Sequence, residues 1–281
     1  MKDEIKYFIF DIETVSDGKL IQKIKYPDEA KLSPQEAIER YCSELLTDSE
    51  GKSDFIPWTY QIPVSIAVAK VGKDYELNEV VVLDRPHYRP QVISRLFWEG
   101  WTKYQYPTLV TFNGRGFDLP VLELAAFRYG IDVRQWFDTN GPAYQQPRNR
   151  FNPKSHYDLL ELLSNYGAAR ISGGLDLCST LLGKPGKLQT KGYMVQDIYN
   201  EGDYERINNY CMCDVLDTYF VFLRTRVMTG HISLKEEHQL VCLAHEWIST
   251  ASKENSVLEE YLNHFSFWEP INDSDSPFLR S

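Results

Sequence analysis

Residues 7–15 read Tyr-Phe-Ile-Phe-Asp-Ile-Glu-Thr-Val. Aromatic and β-branched side chains dominate this run, which predicts a buried β-strand. Two carboxylates interrupt it. Side chains two apart on a strand point to one face, so Asp11 and Glu13 stand together. Paired acids in an apolar strand are costly unless positive charge holds them. A bound divalent cation is the simplest source of that charge.

Such a pair calls for partners from elsewhere in the chain. Residues 16–58 are polar and broken by Pro27, Pro34, Gly51 and Pro57, so they read as an insertion that decorates or lids the core. Within it, Ser33-Pro34-Gln35-Glu36 has the form of a helix start, predicting a helix to about residue 46. Residues 63–71 and 75–83 predict two strands that continue the first as an antiparallel meander. A helix over 90–104 follows, then a short buried strand of parallel type over 108–112. A loop at 113–116 leads into a helix over 119–129, with Pro120 in its first turn and Gly130 at its end. Residues 157–163 fit either a short strand or the opening of a helix. Further helices are expected over 175–182, 203–226, 234–251 and 257–265.

Two of these elements supply carboxylates. Asp118 follows the short strand at a helix N-terminus. Asp214 lies in the long late helix, with Tyr210 one turn earlier on the same face. Acids from separate elements converging beside a central strand describe a two-metal site, and hard oxygen ligands suit Mg²⁺ or Mn²⁺. Ions about 4 Å apart can activate water and stabilise a leaving oxygen in phosphoryl transfer.

In this respect the sequence resembles the DEDDy 3′-5′ exonucleases, and in particular stand-alone relatives of the proofreading domain of family B DNA polymerases. The first motif of that family, Asp-x-Glu, is matched by Asp11 and Glu13. The second, Asn-x-x-x-Phe-Asp, is matched by Asn113, Phe117 and Asp118. The third, Tyr-x-x-x-Asp, is matched by Tyr210 and Asp214. The resemblance spans roughly residues 5–228. It implies an α/β, ribonuclease H-like fold: a mixed five-stranded sheet with helices on both faces, plus extra C-terminal helices. It also implies that four carboxylates hold two ions while Tyr210 helps position the attacking water. The expected organisation is one exonuclease domain over 1–230, carrying the insertion, and a helical extension over 231–281 packed on it.

Substrate contacts are expected from Thr14, Asn113 and Phe117, the last against a terminal base. Lys184 and Lys187, in a Gly-Lys loop similar to one in the relatives, are candidate phosphate contacts. Asp158 is expected to support the core without touching metal. The basic run with Arg148, Arg150 and Lys154 reads as either a solvated face or a phosphate contact.

Charge bounds the substrate. Thirty basic against 40 acidic residues give a net charge of −10, which argues against a footprint for long duplex. The expected partner is a single-stranded or frayed 3′ end, DNA before RNA, released as nucleoside 5′-monophosphates. A 3′-5′ exoribonuclease, a small-nucleotide phosphodiesterase and a non-catalytic nucleic-acid-binding protein are the alternatives. The five cysteines show no disulfide or zinc spacing and read as thiols in a reducing compartment, so a cytoplasmic location is expected. No signal peptide or membrane-spanning run is expected.

Overall fold

The computed structural model describes residues 4–186 and 192–270. Five strands form one sheet: β1 (Ile5–Ser16), β2 (Gln61–Gly72), β3 (Leu77–Val82), β4 (Thr108–Thr111) and β5 (His156–Asp158). Their spatial order is β3-β2-β1-β4-β5. The first three strands pair antiparallel, as the meander predicted, while β4 runs parallel to β1 and β5 parallel to β4. The expected mixed five-stranded sheet is thus what the chain forms. β1 is its central strand.

Helices cover both faces, and the parity of β1 decides what meets what. Phe8, Phe10 and Ile12 point to one side. They pack there with Ile93, Phe97 and Trp101 of α3 (Pro90–Lys103) and Leu119 and Leu122 of α4 (Asp118–Tyr129). Ile9 points to the other side, into a cluster built on α8 (Tyr204–Met228). Asp11 and Glu13 share the parity of Ile9, so alternation alone directs them toward α8.

Between these elements lie α5 (Leu159–Leu163), α6 (Gly174–Thr180) and α7 (Val195–Glu201); α9 (Leu234–Ala251) and α10 (Ser256–Asn263) follow α8. Residues 157–163 combine both expectations, since β5 passes directly into α5 at Asp158. The helix α8 is buried on nearly every side from Ile207 to Arg226, because the sheet covers one face and α9 and α10 the other. That explains why apolar residues surround its whole circumference instead of forming one stripe.

The insertion holds α1 (Gly18–Lys25) and α2 (Pro34–Asp48). Ser33 and Glu36 close the capping box expected from sequence. Ile21, Tyr26, Ala37, Ile38, Tyr41 and Ile56 give the insertion a small core of its own. Arg128 of α4 binds Asp17 at 2.5 Å, tying the root of the insertion to the body. All five cysteines are free thiols. No helix among the described residues is long and apolar enough to cross a membrane.

Candidate active site

The site is assembled from three elements. β1 delivers Asp11 and Glu13, and its pairing with β2 shifts register between Glu13 and Thr14, just past the acids, before continuing to Ser16. The helix α8 delivers Asp214. One carboxylate oxygen from each of Asp11, Glu13 and Asp214 lies within 4.8 Å of the others. Docking of α8 on β1 is fixed beside them: the Cys211 thiol donates to the Asp11 carbonyl at 3.3 Å. On the neighbouring strand, the Ser65 hydroxyl donates to Asn208 at 2.6 Å.

Asp118 opens α4 and reaches the same strand. Its Oδ1 accepts the main-chain N–H of Ile12, the residue between Asp11 and Glu13, at 3.2 Å. The loop that carries it is held from below. The Asp158 carboxylate accepts the N–H groups of Asn113 (3.0 Å) and Arg115 (2.9 Å) while capping α5 through Leu160 (3.0 Å). Asn113 takes a left-handed backbone with φ of 70°. A side chain at Gly114 would collide with Thr111, so this turn requires glycine. Asp158 therefore supports the loop, as expected.

The electrostatics favour a cation. Burial and then the neighbouring carboxylates Asp118, Glu13 and Asp214 push Asp11 well above the usual carboxylate range. The strongest influences on it include no positive group. Burial also pushes Asp118 up to about 7, with Asp158 and Asp214 adding to the rise and the Ile12 N–H opposing it. Tyr210 is buried beside the cluster and hydrogen-bonds Asp214; burial and then Asp214, Glu13 and Asp11 raise its hydroxyl far above the ordinary range. A set of convergent carboxylate oxygen donors fits a hard divalent ion.

The remaining expectations divide. Thr14 and Phe117 line a cleft together with Glu13. Asn113 is exposed at the loop, where its backbone, not a contact with the cluster, is fixed. Lys184 needs correction. Its ammonium donates to the Ser266 carbonyl at 2.7 Å and lies 3.8 Å from the centre of the Phe265 ring. The segment after α10 folds back over it, and burial pushes it down to about 8. It anchors that segment and is not presented to a phosphate. Lys187 lies outside the described residues. Arg148 and Arg150 are paired with Glu123 and Glu161 at 2.7 Å each, the solvated-face alternative.

Sequence reasoning missed Phe55, Tyr193 and Gln196, which line the cleft beside Glu13. The only signal was the apolar run Phe55-Ile56-Pro57-Trp58 at the end of a polar insertion. It missed Cys211 because one thiol among buried helix residues carries no pattern.

A central strand and a buried helix here bring three acids together in a group that could hold a metal ion. The chain belongs to the family described as predicted 3′-5′ exonucleases related to the exonuclease domain of PolB, whose model matches residues 53–265. That match takes in Asp118, Tyr210 and Asp214 and begins after β1. Among solved structures, the family B DNA polymerase from the hyperthermophilic archaeon Pyrobaculum calidifontis is similar, with a TM-score of 0.48 and 14% identity. The similarity covers 79% of this chain and 24% of the polymerase, so the chain spans about a quarter of that protein's length. No curated protein matches the chain.

Proposed function

We propose that this protein is a metal-dependent 3′-5′ exonuclease that hydrolyses single-stranded or frayed DNA ends to nucleoside 5′-monophosphates. The observation that carries this reading is the convergence of Asp11, Glu13 and Asp214 within 4.8 Å. Kinship with the PolB exonuclease domain supports both DNA as substrate and the 3′-5′ direction.

Asp11, Glu13, Asp118 and Asp214 would hold the metal. Two ions, Mg²⁺ or Mn²⁺, would supply positive charge against the phosphodiester and lower the pKa of the attacking water. Tyr210 keeps its proton beside three carboxylates, so it acts as a donor that orients water and not as a base. The Ile12 N–H and the Asp158-braced loop hold Asp118 in place. In the reaction, a P–O bond forms to the water oxygen and the bond from phosphorus to the 3′ oxygen of the penultimate residue breaks. That oxygen leaves with a proton as a new 3′ hydroxyl.

Product analysis tests the polarity and chemistry. A single strand labelled at its 5′ end should shorten stepwise while nucleoside 5′-monophosphates accumulate. Internal fragments, or immediate release of the labelled nucleotide, would contradict the reading. Faster loss of the matching RNA strand would reassign the substrate.

A further inference from the structure

A second cavity lies away from the carboxylates, between α3 and the end of α4. It encloses about 710 Å³, within the roughly 300–1,000 Å³ of small-molecule sites. Asp118 is the first residue of α4, and Tyr129, which lines the cavity, is its last. The length of that helix sets the two about 17 Å apart. Arg95, Trp98 and Thr102 recur at helical spacing and lay one face of α3 along the cavity.

A cluster of tryptophans underlies it. The rings of Trp98, Trp101 and Trp136 lie 5.7–5.9 Å from one another. Trp101 donates its indole N–H to the Pro107 carbonyl at 2.9 Å, and Trp136 donates to Glu123 at 2.7 Å. Trp98 is 2% exposed, and among the described residues its indole N–H meets no acceptor. A buried donor left unpaired costs stability. Trp98 lines the cavity, so a ligand seated there is placed to supply the acceptor.

Tyr106 forms a further wall. It and Gln105 both take a left-handed backbone, each with φ of 61°. Two successive residues other than glycine in this region are strained, and such strain gathers at binding sites. The turn sets the Tyr106 ring edge-on to Trp101, 4.9 Å between centres. Among the described residues, the lining holds Arg95, Lys103 and Arg134 against Glu99 and Asp132, a net positive charge in a protein of net charge −10. Glu99 meets Arg95 at 3.8 Å, and Asp132 meets Arg134 at 2.5 Å.

The lining thus asks for a flat apolar body, a hydrogen-bond acceptor and a negative group. We infer that the cavity is a second ligand site, which takes a nucleoside 5′-monophosphate with its base against the aromatic walls and its phosphate at Lys103 and Arg95. Gln91 and Gln135 also line it, and a carboxamide offers a base edge both a donor and an acceptor. The same compound is the product of the reaction proposed above, which gives the site a local source of ligand.

The test follows the indole N–H signals of the ¹⁵N-tryptophan-labelled full chain by NMR, in chelator, as dAMP is added. Chelator withholds the metal from the carboxylates, so this outcome and that of the exonuclease reading are independent. The signal missing from Trp98→Phe belongs to Trp98, and in the wild type it should shift and saturate. Deoxyadenosine, or dAMP with Lys103→Ala, should bind about tenfold more weakly, because a charge-assisted contact is lost. A Trp98 signal that dAMP leaves in place would overturn the site. So would equal affinity for dAMP and deoxyadenosine, or a shift produced by the acidic peptide Glu-Phe-Glu and not by dAMP, which would make the cavity a protein-docking site.

Discussion

The main-chain N–H of Ile12 donates to the carboxylate of Asp118 at 3.2 Å, across 106 residues of sequence. Ile12 is buried on the α4 side of the sheet, while Asp11 and Glu13 on either side of it face α8. One hydrogen bond therefore ties Asp118 to the strand that carries two other acids. Asp118→Asn keeps an acceptor for Ile12 but removes the charge. It should retain the fold, with a circular-dichroism spectrum like that of the wild type, and lose at least about 100-fold in nuclease rate, because transition-state electrostatics are lost.

Metal-free protein should become less stable as pH rises. Burial holds Asp118 and Asp217 at about 7, above their unfolded values near 3.8. The folded state then binds more protons than the unfolded state between these values, and stability falls across that window. Melting temperature without metal should drop between pH 5 and 8. Mn²⁺ should restore it at pH 8 in the wild type and much less in Asp11→Asn, whose melting temperature without metal should exceed that of the wild type. Calorimetry with and without chelator measures both effects.

Asp158 braces the loop that carries Asp118. Replacing it with alanine would leave the N–H groups of Asn113, Arg115 and Leu160 without their acceptor. The expected cost is about 1–3 kcal/mol of stability in urea unfolding, with a larger loss in nuclease rate than Glu161→Gln, which removes only ion pairs to Arg115 and Arg150.

The C-terminal helices also reach α8 beside the site. Tyr261 of α10 donates to Asp217 of α8 at 2.6 Å, one helical turn beyond Asp214. Tyr261→Phe should lower stability by about 1–3 kcal/mol. The effect should be greater at pH 8 than at pH 5, where a protonated Asp217 no longer needs the hydroxyl as donor. Chemical unfolding at both pH values would show it.

Period-two alternation in residues 7–15, the capping box at Ser33 and the long apolar helix made the sheet, α2 and α8 legible in sequence. Those signals are local, and each element formed within a few residues of its expected bounds. The carboxylates were legible because they are chemically out of place: Asp11 and Glu13 in an apolar strand, Asp214 between Cys213 and Val215. The failures involve contacts set by distant chain. Lys184 was a candidate phosphate contact through its likeness to a Gly-Lys loop in the relatives, yet its environment comes from Ser266 and Phe265, some 80 residues later. Phe55 looked like part of a polar insertion, and only the return of that insertion to the end of β1 places it beside Glu13. The short α1 and α7 were missed because neither has the length over which helical periodicity stands out.

The central claim is that the acids gathered by β1, α4 and α8 hold the metal that cuts DNA. It is tested most directly by incubating a 5′-labelled single strand with wild-type protein and Asp11→Asn, each with Mg²⁺ and with chelator. The account predicts a ladder shortening from the 3′ end only in the wild type with metal, with Asp11→Asn folded but inactive. Degradation that persists in chelator, or equal activity in folded Asp11→Asn, would contradict it.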